Sequence, residues 1–424
     1  MNRLFPTLSA VLLVLYGSSA GAAEWWASSD GDTAVEGWGY LKNALMGAYF
    51  RGIDLYEDDG GGLDSTRFRL GVDTYHKDLR FTFELELASD FSFAGLRDGL
   101  PAGFGSTAAR PRLWDPDPWQ GSGVSLSINL DRLFFRYSAG PVDITIGRQA
   151  ISWGSAWFWK PTDRFAPFSP VDIDPDVKRG VDAFRLEAYL SPTTSLDIIA
   201  TFERHPDDEL PVWTSAGARV RTTVNRYDLA FSLARFQSTG QGNWMIGAEF
   251  QGELPRKVGF RGEAALNVME ESREWDIEVV LGVDYTFKTK TTLAGELMFN
   301  GYGASGAEGY LQYLTGTGKG ERLARGEAFN MGRYYAGLMI RQEINPLVSI
   351  SFSAIANLGD PSAVFAAGVS WSADENIRLT AGVMVPAGSA PYFPAGSNAG
   401  SLPVIRSEFG LMPALAYTVL KFSY

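Results

Sequence analysis

Between Trp275 and Phe287 the chain alternates: Trp275, Ile277, Val279, Leu281, Val283, Tyr285 and Phe287 are all apolar, while Asp276, Glu278, Gly282 and Asp284 fall between them. At helical spacing those acids would ring the whole surface, but at strand spacing they separate onto one face. The apolar row is long enough for a tilted membrane-crossing strand and has aromatics at both ends, where a strand meets the two interfaces. The pattern recurs. Val348, Ile350, Phe352, Ala354 and Ala356 alternate with serines, and Ile377, Leu379, Ala381, Val383 and Val385 with Arg378, Thr380 and Gly382. Phe81, Phe83, Leu85 and Leu87 alternate with Arg80, Thr82, Glu84 and Glu86. Sandwich strands also alternate, but they average about 5–6 residues against about 9–11 for membrane strands.

This rhythm predicts an all-β, transmembrane antiparallel β-barrel of about 18 strands, with 16 as the alternative. The segments lie near 38–51, 65–76, 79–91, 125–139, 142–154, 180–191, 195–204, 214–224, 226–237, 242–254, 257–270, 274–288, 291–302, 332–344, 347–358, 362–373, 376–387 and 410–424. The segment 214–224 is the weakest, included partly because bacterial barrels have even strand numbers. Short turns such as 76–78, 191–194 and 373–376 alternate with long connections near 92–124, 155–178, 301–331 and 387–407, the pattern of periplasmic turns and extracellular loops. The apolar phase slips between Leu130 and Leu133 and again near Arg148, as β-bulges would cause. Ala416, Thr418, Leu420, Phe422 and Tyr424 share one face, and the sequence closes on an aromatic.

Composition agrees. Aromatics make up 13% of the chain and glycine 47 residues, and the mean hydropathy is −0.07, because lipid-facing and lumen-facing residues cancel in the average. A net charge of −12 argues against a nucleic-acid partner. With no cysteine there is no disulfide, lipoprotein acylation site, cysteine zinc site or c-type haem attachment; no cofactor is implied. Arg3, the apolar run 8–16 and the small residues 18–23 read as a signal peptide cut after Ala22 or Ala23. The expected organisation is therefore signal peptide 1–23, a short periplasmic segment 24–37 and a single barrel over 38–424.

The stretch Gly147-Arg148-Gln149 followed by Trp153-Gly154, and then by a Pro- and Asp-rich loop through Asp182, resembles a group of bacterial outer-membrane porin-like proteins. It is distantly similar to the alginate-export type of 18-stranded barrel. The resemblance implies a passive channel for small hydrophilic solutes. It also implies, as in general porins, a loop at 155–178 that folds into the lumen and narrows it, with an external lid as the alternative. Trp157, Phe158, Trp159, Phe165 and Phe168 are too apolar to lie free in water, and four prolines stiffen the loop. Lys160, Asp163, Arg164, Asp172, Asp174, Asp176, Lys178 and Arg179 are the candidate constriction charges, set either as opposed rows that orient dipolar solutes or as local ion pairs. Asp172, Asp174 and Asp176 also have the spacing of a calcium loop, but Val177 stands where the turn glycine belongs.

Alternation assigns Arg67, Arg69, Arg80, Glu84, Glu86, Arg185, Glu187, Glu249, Arg261, Glu263, Asp276, Glu278, Glu296, Arg341, Glu343 and Arg378 to the lumen, since each would cost about 2–4 kcal/mol against lipid at the midplane. Both signs occur, implying a wet, mixed wall with a slight cation preference. Asp54, Glu57, Asp58, Asp59 and Asp64 read as a solvated external loop. His76 and His205 fall at opposite ends and no Gly-x-Ser-x-Gly elbow is present, so an enzyme is not expected. The segment before the first strand is too short for a transporter plug. Expected partners are outer-membrane lipid and lipopolysaccharide, small hydrophilic solutes, and the barrel-assembly machinery through Phe422 and Tyr424. The channel would be a monomer or a homotrimer. Polysaccharide export, or a structural conduit around a periplasmic redox partner, are the alternatives.

Overall fold

The computed structural model describes residues 23–50, 60–94, 112–172, 176–204, 212–237, 242–314, 319–324, 327–394 and 402–424. Residues 1–22, where a signal peptide is expected, the expected loop acids Asp54, Glu57, Asp58 and Asp59, and also Asp174 and His205, lie outside them.

The strands begin with β1 (Ala23–Ala27), β2 (Thr33–Tyr49), β3 (Gly60–His76), β4 (Leu79–Ala94), β5 (Trp119–Gly121), β6 (Val124–Ala139) and β7 (Val142–Gln149). There follow β8 (Val181–Ser191), β9 (Thr194–Glu203), β10 (Val212–Val224), β11 (Tyr227–Phe236), β12 (Asn243–Leu254), β13 (Val258–Met269) and β14 (Trp275–Thr286). The last six are β15 (Thr291–Asn300), β16 (Tyr334–Asn345), β17 (Val348–Asn357), β18 (Ser362–Asp374), β19 (Ile377–Ala387) and β20 (Ala414–Ser423). Apart from β1 and β5, each pairs antiparallel with its two neighbours, and β2 pairs with β20, so 18 strands close into a barrel without edges. No helix among the described residues is long and apolar enough to cross a membrane.

Each expected strand is present, 214–224 included, as Val212–Val224. Two short strands are additional. β5 pairs with Val124, Ser125 and Leu126 of β6. β1 forms a hairpin with β2, which starts at Thr33, ahead of residue 38 where the barrel was expected to begin. Residues 24–37 are thus largely strand, and β1 continues the sheet beyond Tyr424, whose backbone exchanges hydrogen bonds with Gly39. Asp64, expected in a loop, lies within β3 and accepts from Asn43 at 2.6 Å.

The faces separate by parity. On β14, Trp275, Leu281 and Val283 are exposed to the outside, whereas Glu278 is buried within. Short turns fill one end of the barrel and the long connections the other. Both phase slips have a cause. Glu84 pairs with Arg132 but Leu85 with Leu130, so Asp131 is the extra residue of a bulge and joins the inner face. Gly147 has φ +118°, and a Cβ there would meet the Leu133 carbonyl oxygen at 2.2 Å. Only glycine fits this approach, and β7 ends two residues later instead of running to Gly154 as expected.

The centre of the barrel is packed. Residues 150–172 and 176–180 fold inward, and Ile151, Trp153, Phe165 and Ala166 bury against Ile199, Ala234, Phe236, Met245 and Ala265 on the wall. Ala156, Trp159 and Val171 bury against Val280, Met298, Tyr335, Ile355 and Met384. Val280 is the apolar exception in the polar row of β14; it is the wall's footprint of the loop.

Candidate functional site: the lumen and its inward loop

The loop is held by wall carboxylates. The backbone N–H groups of Ser155 and Ala156 donate to Glu263 on β13 (2.5 and 2.7 Å), and the Thr162 hydroxyl donates to the same carboxylate at 2.9 Å. The next two amides, Trp157 and Phe158, donate to Glu296 on β15, the latter at 2.7 Å. Arg164 pairs with Glu278 on β14, the Trp153 indole donates to Asp197 on β9 at 3.1 Å, and the Trp159 indole to Asn330 at 2.8 Å. Across the barrel, Asp176 accepts from Lys42 on β2 (3.4 Å) and Lys421 on β20 (3.2 Å). These attachments reach widely separated strands, so the loop spans the lumen.

Of the loop charges, Lys178 pairs with Asp163 inside the loop and Arg179 with Asp115 at 2.5 Å. Lys160 has no polar partner among the described residues. Asp172 sits at the turn after Ser169, whose carbonyl accepts its N–H at 3.1 Å. Burial lowers the Lys178 ammonium's pKa more than Asp163 raises it. Burial alone would raise the Asp176 carboxyl, but Lys42 and Lys421 together hold it below the usual carboxylate range. Local pairing and anchoring thus occupy most of these charges, and Asp176 faces two lysines rather than a calcium cage. Trp157 is the exposed member of its trio at 42%; the Arg261 guanidinium covers its ring, centred 4.7 Å away.

The sequence-assigned wall charges share the inner parity; Glu343 does so at the short-turn rim, where it pairs with Lys290. Glu249 and Glu263 stand directly opposite each other, and Arg219 pairs with the first at 2.7 Å. Arg185 binds Asp197 and Glu187, Arg261 binds Asp284, and Arg80 binds Asp73. Asp131, only 1% exposed, binds Arg69, Arg112 and Arg132, and Arg69 also reaches Glu84 and Glu86. Burial and repulsion from Arg179 and Arg148 push Arg112 down to about 10. Of the motif, Arg148 clamps Asp182 with two bonds (2.9 and 2.8 Å) and donates to the Leu130 and Trp114 carbonyls, while Gln149 donates to Ala183. The Gly-Arg-Gln strand end is therefore the hinge that turns the chain into the lumen. Gly154, at φ +83°, lies against Glu263 and Lys160.

One hydrogen-bond row stands out. Arg378 pairs across strands with Lys421, Lys421 with Lys42, and Lys42 with Arg67. Four cations therefore face the lumen side by side over β19, β20, β2 and β3, an arrangement that like-charge repulsion disfavours. Arg67 and Arg378 have no acid partner among the described residues. Lys42 and Arg67 border a half-open cavity of about 410 Å³, which Asp90, Asp115 and Asp117 also line.

The long-loop end holds a second polar cluster. Glu408 accepts from Tyr335, Asn357 (2.7 Å), Asn330 (3.2 Å) and the Met331 amide (2.9 Å). Tyr310 donates to Asp360 at 2.7 Å, and Arg322 binds Asp276 and Glu278. Burial raises the Glu408 carboxyl above the usual range, outweighing its donors.

Alternation missed Asp131 because it is the bulge residue, and it missed the loop residues Arg112, Arg322 and Glu408 because loops carry no period. Lys42, Arg132, Arg219 and Lys421 lay on polar rows and were findable by parity. At the other end, Phe422 lies on the outer row opposite Leu41 and Ile377, and Tyr424 stacks on Phe68 at 6.2 Å.

No family model matches this chain, and no curated protein does. Several solved structures share its fold. OccK9 (OpdG) of Pseudomonas aeruginosa superposes with a TM-score of 0.56 at 9% identity, covering 92% of this chain and 98% of that one. The outer membrane protein opdK of the same species gives 0.54 at 7%, with 92% and 98% covered. A BenF-like porin from Pseudomonas fluorescens Pf-5 gives 0.53 at 8%, again with 92% and 98% covered. The chain thus has the 18-stranded outer-membrane porin fold.

Proposed function

We propose that this chain is an outer-membrane channel for passive diffusion of small hydrophilic solutes, favouring those that carry a carboxylate or phosphate. The observation that carries this reading is the row Arg378, Lys421, Lys42 and Arg67, with two members unpaired among the described residues. Such a row is unfavourable in an empty wall and becomes favourable when an anion passes it. This reading replaces the slight cation preference expected of a mixed-sign wall, because most lumen acids are paired with arginines or loop amides. An inward loop tied to both sides of the barrel also works against export of a wide polymer. The terminal strand ending at Phe422 and Tyr424 is the element offered to the assembly machinery.

Swelling of proteoliposomes tests the reading. Isosmotic succinate should enter faster than a neutral sugar of similar size. If neither enters faster than into protein-free liposomes, the channel function is refuted.

A further inference from the structure

The cation row meets an acid supplied by the protein itself. Asp176 comes from the inward loop, not from the wall, and its carboxylate lies between the ammonium groups of Lys42 and Lys421. Those two lysines belong to the first and last strands of the barrel, directly opposite each other at the closing seam. Both also lie over the Tyr40 ring, centred 5.5 and 4.6 Å away. The Lys42 side chain is nearly buried, while that of Asp176 remains 42% exposed to the lumen.

We propose that Asp176 is a tethered occupant of the anion site, which a solute's carboxylate or phosphate must displace to engage Lys42 and Lys421. This rests on the channel reading above and gives that channel its regulation. The geometry supports exchange over permanent closure in three ways. The ion-pair distances of 3.4 and 3.2 Å are loose beside the Lys178–Asp163 contact in the same loop. The carboxylate is open to solvent on one side. Arg67 and Arg378 flank the lysines and stand ready to hold an entering dianion as Asp176 leaves. The other charges around the cavity beside Lys42 and Arg67 are Arg69, already bound to Glu84, Glu86 and Asp131, Arg179, which pairs with Asp115, and the carboxylates Asp90 and Asp117. Displacement exchanges one set of charge-assisted hydrogen bonds for another; no covalent bond is made or broken.

A built-in competitor lowers apparent affinity by the fraction of time it leaves the site free. If the site is free about one tenth of the time, Asp176→Asn should tighten anion binding about tenfold. Calorimetric titration of the full-length, detergent-solubilised protein with succinate, and separately with inorganic phosphate, reads this without requiring any current. The expected result is about tenfold tighter binding in Asp176→Asn. Asp176→Glu should stay near wild type because its carboxylate still reaches the lysines, and Lys42→Met should lose binding. A gain with succinate alone or phosphate alone identifies which anion the site takes. Unchanged or weaker binding of both anions by a correctly folded Asp176→Asn protein overturns the proposal. Absence of swelling with intact, Asp176-dependent binding would instead sink the channel reading.

Discussion

Replacing Glu263 with alanine should free the inward loop. The Glu263 carboxylate accepts two consecutive loop amides and the Thr162 hydroxyl, at 2.5, 2.7 and 2.9 Å, from a nearly dry position. Hydrogen bonds to a charged acceptor contribute about 1.5–3 kcal/mol each. Water entering the vacated space replaces part of that, which leaves a net loss of about 3 kcal/mol for the three. At about 1.4 kcal/mol per tenfold, the docked loop loses roughly a hundredfold in its equilibrium against undocked states. Glu296, Glu278 and Asp197 still hold the loop, so the variant should fold while the loop fluctuates. Single-channel recordings should show larger and noisier openings, and the Ser155 and Ala156 amides should exchange with deuterium at least tenfold faster. Glu263→Gln, which keeps an acceptor but loses the charge, should fall between. Wild-type conductance, noise and exchange in Glu263→Ala would refute the reasoning that wall carboxylates position this loop.

Other consequences are as direct. Leu281→Arg places a charge on the lipid face at a cost of about 2–4 kcal/mol, and should lower the urea midpoint of the folded barrel in detergent. Gly147→Ala forces a Cβ against the Leu133 carbonyl at positive φ, costing about 1–3 kcal/mol, seen as a lower melting temperature. Asp131→Asn leaves Arg69, Arg112 and Arg132 without their shared counter-charge, a loss of about 3–5 kcal/mol for a broken buried ion pair, read in the same unfolding assay. The raised carboxyl of Glu408 predicts a pH dependence. Folding favours its neutral form, so its contribution is fully present below the ordinary glutamate range and is lost as pH rises through the raised value. Exchange protection of the Met331 amide, corrected for intrinsic rate, should therefore fall with rising pH in wild type and stay level in Glu408→Gln.

The wall of this barrel was legible because membrane strands repeat a rule over and over: the residue opposite Glu278 in parity must be greasy, and Ile277 and Val279 are. Even the irregularities showed, since the slip at Leu130–Leu133 is the Asp131 bulge and the ambiguity at Arg148 is the Gly147 turn. The lumen was harder to read. Parity says that Lys42, Arg67, Arg378 and Lys421 face inward, but only register across the closed seam makes them one row. Glu408, Arg322 and Arg112 sit on loops without a period, so their partners depend on how distant connections fold over the mouth. Val280, Ile199 and Met245 carried a usable signal: apolar residues on a polar face mean that something apolar, here the loop's tryptophans, lies against them.

The most direct test of an open lumen governed by its cation row is the current through single molecules in a planar bilayer under a salt gradient. Discrete ohmic steps whose reversal potential favours chloride over potassium, with that preference reduced in Lys42→Met and Arg378→Met, are the predicted result. Silent bilayers, or steps that favour potassium and ignore both substitutions, would contradict it.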